Sequence, residues 1–211
     1  MRPRITWKVA TSLDGRIGTS TGESQWITGP VAREQGHRLR AAHDAVLVGV
    51  ETVLADDPRL TVRLPQGEGA PDPLRVVLDS RLRTPPFARL ATVGTLILTT
   101  REPMPVGEAE IVRVVGDASG RPRVEAVLET LAARGVKSLM IEGGGRVAAC
   151  FVTAGVVDAI EWFRAPILLG GDGRPGVAAL ALARLAHAPR YRRLAAEPVG
   201  DDLWERYEKV A

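Results

Sequence analysis

The chain carries one cysteine, Cys150, in 211 residues. That excludes an intrachain disulfide and any cysteine-cluster metal site, and it fits a reducing compartment. No apolar run approaches the roughly twenty residues that a membrane-spanning helix needs. The opening MRPRITWKVAT has no h-region with a small-residue cleavage site, so neither export nor membrane contact is expected, and the expectation is cytoplasmic. Aromatics make up only 4%, too few for the basic stripe with interleaved rings that a nucleic-acid surface wants. The H-x-E and P-C-x-x-C signature of zinc deaminases is also absent.

What remains is ordinary globular composition, 45% hydrophobic and 25% charged, with a net charge of +3. The length suits one α/β domain spanning residues 1–211. Basic residues are spread along the chain, with Arg33, Arg38 and Arg40 forming one local group. Small anionic ligands suit that pattern better than a polyanion does.

Short apolar runs alternate with helical stretches. Strands are expected at Ile5–Thr11, Ala45–Val50, Leu74–Asp79, Thr95–Thr99, Ile111–Val115, Ser138–Glu142 and Ala159–Ala165, with a C-terminal pair near Tyr191–Ala195 and Leu203–Lys209. Runs such as AVLVGV and LILTT are apolar without alternation, as in strands covered on both faces. Helices are expected at Ala32–Ala41 after an N-cap at Thr28, at Arg123–Arg134 before the stop at Gly135, and from Gly145 to Gly155. Loops are expected at Pro65–Pro73, Arg101–Glu110, Gly116–Pro122 and Gly170–Gly176. The alternation predicts a mixed, mostly parallel sheet flanked by helices.

Three stretches carry the chemistry. In LMIEGGGRVAACF (Leu139–Phe151) a buried strand ends at Glu142, three glycines follow and a helix begins at once. Glycines there let a backbone approach a ligand, and the first helical N–H groups suit a phosphate. The turn is not GxGxxG and lies late in the chain, which disfavours an ordinary N-terminal dinucleotide unit. In Lys8–Gly18 and Gly22–Thr28, Asp14-Gly15 reads as a tight turn. Trp26 reads either as the apolar wall of a ligand site or as a minor-core residue, and Ser24 offers a hydroxyl. In Thr52–Arg63, Asp56-Asp57-Pro58 reads as a capping turn; a metal is rejected because no His or Glu stands close enough to complete a site. His37, His43 and His187 read as surface or structural residues, and Cys150 as a small buried one.

Together these stretches resemble the reductase domain of the bifunctional riboflavin-biosynthesis deaminase-reductases and its stand-alone counterparts. The markers are K-x-A-x-S-L-D-G at Lys8–Gly15, G-E-S-Q-W-I-T at Gly22–Thr28, T-V-L-A-D-D-P-x-L-T-V-R at Thr52–Arg63, V-L-D-S at Val77–Ser80, E-G-G at Glu142–Gly144 and A-P-x-L-L-G-G at Ala165–Gly171. Ile167 departs from the lysine common there. The resemblance implies a dihydrofolate reductase-like three-layer sandwich, NADPH as hydride donor and a homodimer. It implies reduction of 5-amino-6-(5-phosphoribosylamino)uracil, or its 2,5-diamino relative, to the ribityl product. Deamination would fall to a separate deaminase, which is a possible partner. It also implies cofactor contacts at Ala10, Trp26, Thr52, Asp56, Ser80, Gly143, Gly144, Gly145, Arg146, Val147 and Cys150. Substrate contacts are implied at Ser24, Arg40, Leu60, Arg63 and Glu142.

Arg40 and Arg63 could bind the ribose phosphate, and Glu142 the pyrimidine. Lys8 and Asp56 are candidates for proton traffic, with Glu142 completing the catalytic set; Lys8 could instead be a surface charge on an edge strand, and Asp56 could only position the cofactor. By analogy with dihydrofolate reductase, Thr99-Thr100-Arg101 could hold the 2′-phosphate of NADPH. Two other readings stay open: a dihydrofolate- or pterin-type reductase, and a non-catalytic nucleotide-binding homologue.

Overall fold

The computed structural model describes residues 1–65 and 69–210. In chain order the elements are β1 (Arg4–Thr11), β2 (Arg16–Gly18), α1 (Pro30–Ala41), β3 (Ala45–Gly49), α2 (Val50–Asp56), β4 (Leu74–Leu78), β5 (Thr95–Thr99) and β6 (Glu110–Arg113). Then follow α3 (Val124–Ala133), β7 (Ser138–Ile141), α4 (Gly145–Thr153), β8 (Ala159–Arg164), β9 (Arg174–Pro175), β10 (Tyr191–Val199) and β11 (Asp202–Lys209). The fold is mixed α/β, with a mostly parallel central sheet, as the alternation of runs anticipated. No helix among the described residues is long and apolar enough to cross a membrane.

The described residues divide into two compact units. One holds Met1–Arg4 and His37–Gly143. Its strands run in the order β7-β3-β4-β5-β6, each neighbour parallel. All five residues of β5 are buried, as are the first four of β3, which is why these runs show no polar alternation. Val46, Val77, Ile97 and Met140 meet in the core with Val53 and Leu60; each such side chain contributes about 1.5–3 kcal/mol on burial. α3 buries Val127, Leu128 and Leu131, one face of a helix at i, i+1 and i+4.

The other unit holds Ile5–Gly36 and the chain from Gly144 onward. Here the order is β10-β11-β8-β1. β1 and β8 are parallel, whereas β11 is antiparallel to both β8 and β10. β2 and β9 form a small antiparallel pair of their own.

Several boundaries differ from expectation. α1 starts at Pro30, and Gly29, not Thr28, is its N-cap: the Gly29 carbonyl accepts the Arg33 N–H at 3.2 Å, while the Gly29 N–H goes to the Asp202 carboxylate at 2.7 Å. Proline at the first helical position fixes where the turn begins. α2 was not anticipated, because seven residues are too few to show a period. It buries Val50 and Val53 and stops where Asp57 turns left-handed at φ 39°. β10 runs to Val199 rather than Ala195, since it pairs along β11 through an irregularity between Arg193 and Ala195. Part of the expected Gly170–Gly176 loop is β9. Of the expected Pro65–Pro73 loop, Gln66, Gly67 and Glu68 lie outside the described residues.

Candidate active site

Glu142 is the first residue beyond β7, and its N–H extends the strand by donating to the Leu47 carbonyl at 2.9 Å. Its carboxylate receives Arg40 from α1 in a two-pronged pair, Nε to Oε1 and Nη2 to Oε2, both at 2.9 Å. Each side chain is only 11% exposed. Burial works against the Arg40 charge, but the adjoining carboxylate outweighs it and holds the guanidinium above its usual pKa. Arg40 also donates from Nη1 to the Thr61 carbonyl at 2.6 Å. So Arg40 is turned inward, onto Glu142 and the backbone, and the sequence reading of it as a phosphate ligand meets a guanidinium that is already engaged.

The Thr61–Arg63 stretch is held residue by residue. Arg40 takes the Thr61 carbonyl, Asp72 accepts the Val62 N–H at 2.7 Å, and His37 Nδ1 accepts the Arg63 N–H at 3.2 Å. His37, one helical turn before Arg40, has its Nδ1 3.5 Å from Arg40 Nη1. Burial, and then the charges of Arg40 and Arg63, push the His37 pKa down to about 4. The imidazole is therefore neutral at ordinary pH. The Arg63 side chain is exposed and donates weakly to Thr61 Oγ1 at 3.4 Å. Burial, with Arg40 and Arg59 nearby, lowers its pKa; cations crowded in this way favour an anion among them.

His37 thus belongs to the cluster, and its bond to the Arg63 backbone is consistent with the structural half of the expectation. His37 and Asp72 both escaped the sequence reading. The i, i+3 spacing of His37 and Arg40 on one helix was the available signal for the first; Asp72, within Pro-Asp-Pro, offered none.

The glycine turn follows Glu142 directly. Gly144 is the N-cap of α4, and its carbonyl accepts the N–H groups of Val147 at 3.0 Å and Ala148 at 3.2 Å. A Cβ on Gly144 would meet Ile17 Cδ1 at 4.0 Å, an ordinary van der Waals contact, so the backbone there is lightly covered by a side chain rather than packed against another backbone. At Gly145 the reason for glycine differs: a Cβ there would stand 2.5 Å from the Pro175 carbonyl oxygen. Arg146 is exposed and Val147 half-buried. Cys150 is exposed, against the expectation of burial. α4 buries Ala148, Ala149, Phe151 and Val152, and at 100° per residue position 150 falls on the opposite face.

The N-terminal stretch is held by Asp14. Its Oδ1 accepts Ser12 Oγ at 2.6 Å and the Leu169 N–H at 3.2 Å, and its Oδ2 accepts the Gly170 N–H at 2.8 Å. These bonds, Ser12 first, lower its pKa to about 2. One carboxylate thus ties the SLDG stretch to the LLGG stretch. Lys8 is half-buried, with Nζ 5.9 Å from the Phe163 ring centre. α1 covers it closely: a Cβ on Gly36 would stand 3.5 Å from its Cε and Nζ, so Lys8 is not a surface charge. Ala10 pairs with Phe163 in the sheet, and Ser24 is half-buried. Trp26 is 68% exposed, so it is not a minor-core residue, and the Arg33 guanidinium lies 4.7 Å from its ring centre.

Thr52 and Asp56 lie half-buried on α2. Asp57 is the C-cap of α2, its N–H donating to the Val53 carbonyl at 3.0 Å, while its carboxylate accepts the distant Arg89 N–H at 2.8 Å. Leu60 sends its side chain into the core at φ 55°, leaving only its backbone for a ligand. Ser80 follows Asp79, whose buried carboxylate organises that turn through the N–H and hydroxyl of Thr84 at 2.7 and 2.8 Å. The Ser80 carbonyl accepts the Thr100 hydroxyl at 3.1 Å, and Thr99 Oγ1 accepts the Arg101 N–H at 3.2 Å.

The RibD C-terminal domain family model matches residues 3–203. The chain is 40% identical over 204 residues to the riboflavin biosynthesis protein RibD of Mycobacterium tuberculosis, covering 95% of this chain and 53% of that protein. It therefore spans about half the length of that relative. It is 37% identical over 213 residues to the 2,5-diamino-6-ribosylamino-4(3H)-pyrimidinone 5′-phosphate reductase of Methanothermobacter thermautotrophicus, covering 98% of each. Among solved structures, Acinetobacter baumannii RibD superposes with a TM-score of 0.88 at 28% identity over 99% of this chain and 58% of that one. Dihydrofolate reductase from Enterococcus faecalis shares the fold, with a TM-score of 0.57 at 15% identity over 99% and 97% of the two chains. With a model spanning nearly its whole length and a full-length relative, the chain belongs to the RibD C-terminal domain family.

Proposed function

We propose that this chain is an NADPH-dependent oxidoreductase of riboflavin biosynthesis. Its substrate is 5-amino-6-(5-phosphoribosylamino)uracil or the 2,5-diamino pyrimidinone counterpart, and its product carries a ribityl chain. The observation that carries this reading is the Glu142–Arg40 pair followed at once by the glycine turn into α4, beside the held Thr61–Arg63 stretch. Family membership and the likeness to a full-length pyrimidinone phosphate reductase support it.

The turn fits a dinucleotide phosphate: a Cβ on Gly144 would meet just the Ile17 side-chain tip at 4.0 Å, and a nine-residue helix begins there. Gly143, Gly144, Gly145, Arg146 and Val147 would hold that part of the cofactor, with Ala10, Trp26, Thr52, Asp56 and Ser80 as further contacts. Bound NADPH supplies the hydride. Reduction places that hydride on C1′ of the ring-opened imine form of the substrate and a proton on its nitrogen. Glu142, whose two oxygens accept from Arg40, also receives N–H donors of the pyrimidine. Lys8 and Asp56 are the candidates for that proton, and Ser24 for a substrate hydroxyl contact. Arg63 binds the ribose phosphate; Arg40 acts behind Glu142.

The proposal extends to a single reductase domain over residues 1–211, cytoplasmic and homodimeric, served by a separate deaminase. The decisive assay follows NADPH absorbance with the ribosylamino-pyrimidine phosphate and, separately, with dihydrofolate. Oxidation with the first alone supports the reading. Oxidation with dihydrofolate alone would replace it with a pterin-type reductase, and binding without turnover with a non-catalytic homologue. One cooperative unfolding transition and a light-scattering mass of two chains test the domain and the dimer.

A further inference from the structure

We infer that His37 is a positioning residue that sets the enzyme's selectivity for a phosphorylated substrate by clamping the backbone from which Arg63 projects. The inference rests on the reading of Arg63 as the phosphate ligand.

Three consecutive residues, Thr61, Val62 and Arg63, each give one backbone group to a different side chain: Arg40, Asp72 and His37. Two of these clamps come from one helix, α1, one turn apart. An extended stretch carries no helix or sheet ladder of its own, so such bonds decide where its side chains point. Arg63 is the residue at stake, because its side chain is exposed and its one side-chain hydrogen bond among the described residues is the 3.4 Å contact with Thr61 Oγ1.

Histidine suits the position for a specific reason. The clamp must accept an N–H while standing 3.5 Å from one guanidinium, beside a second. A carboxylate would accept the bond but would also pair with Arg40 and Arg63, withdrawing them from Glu142 and from a phosphate. A lysine or arginine could not accept at all. A neutral imidazole accepts through Nδ1 and leaves the positive charge around Arg63 intact for an anion. The ring is thus an uncharged strut among charges.

The test compares His37→Phe, which keeps a ring of similar size without an acceptor, with His37→Asn, whose Oδ1 can replace Nδ1. One lost hydrogen bond of about 1 kcal/mol corresponds to roughly fivefold. H37F should raise KM for the ribosylamino-pyrimidine phosphate by about that factor, with kcat within about twofold and KM for NADPH unchanged. H37N should recover most of the loss. Amide exchange at Arg63, read by NMR on the free protein, should speed up in H37F and stay near wild type in H37N. A wild-type KM and wild-type Arg63 exchange in H37F would overturn the inference, as would H37N behaving like H37F. If wild-type protein turns over no pyrimidine phosphate, the functional reading fails. The exchange measurement needs no turnover, so it still decides whether His37 clamps Arg63.

Discussion

Two carboxylates in this protein close loops that are far apart in sequence, and they do so in opposite ways. Asp14 sits in water and is filled by N–H and O–H donors from Ser12, Leu169 and Gly170. Glu142 is nearly dry and is filled by a guanidinium from α1. The first arrangement satisfies a carboxylate mainly with neutral donors, with one cation at longer range, Arg16 Nε at 4.0 Å from Oδ2. The second places an ion pair next to further cations, Arg63 and Arg59, where an anion gains from entering. A loop-closing aspartate and a site-building glutamate look alike in a sequence; their partners separate them.

Four experiments can break or sharpen that contrast. The largest effect should come from Arg40→Met, which strands Glu142 at 11% exposure without its partner. A loss of about 3 kcal/mol in urea unfolding is expected; a loss under about 1 kcal/mol would reclassify the pair as a surface contact. Next, Glu142→Gln keeps the size but weakens acceptance from the pyrimidine. It should cut kcat/KM on the order of a hundredfold with NADPH affinity kept, and unchanged kcat/KM would remove Glu142 from the substrate side. Arg63→Ala should raise KM for the phosphorylated substrate about tenfold, the scale of one charge-assisted bond, and an unaltered KM would move the phosphate elsewhere.

The smallest effect belongs to Asp14→Asn. With its folded pKa at about 2 against an ordinary 3.8, this carboxylate stabilises the fold above the unfolded value, and the contribution is lost as pH falls from near 4 toward 2. The variant should therefore show a flatter acid limb in thermal unfolding scans, with activity at neutral pH little changed. A wild-type acid limb would mean that the three donors do not hold Asp14 in solution.

Much of this was legible from residues alone, for identifiable reasons. The runs at Ala45–Gly49 and Thr95–Thr99 declare strands because both faces are covered, so no polar alternation interrupts them. The strand–glycine–helix turn after Glu142 was legible because an apolar run ends there and a helical pattern begins at once beyond the glycines. α2 was not, since a seven-residue helix holds too few turns to show a period. The exposure of Cys150 could have been read from the helical wheel: Ala148, Ala149, Phe151 and Val152 form one face, and composition around the cysteine misled where geometry would not. The inward engagement of Arg40 was out of reach, because whether an arginine faces a ligand or a carboxylate a hundred residues away depends on tertiary placement. His37 fell between the two cases: its spacing from Arg40 was visible, but its bond to the Arg63 backbone was not.

The exposed thiol of Cys150 has a practical consequence. The chain holds one sulfhydryl, and it sits on the helix that the glycine turn starts, so a maleimide dye would attach at a single known position without any engineered change. Fluorescence from that label would report ligand arrival at the turn in real time, and it would give a binding readout that needs no turnover.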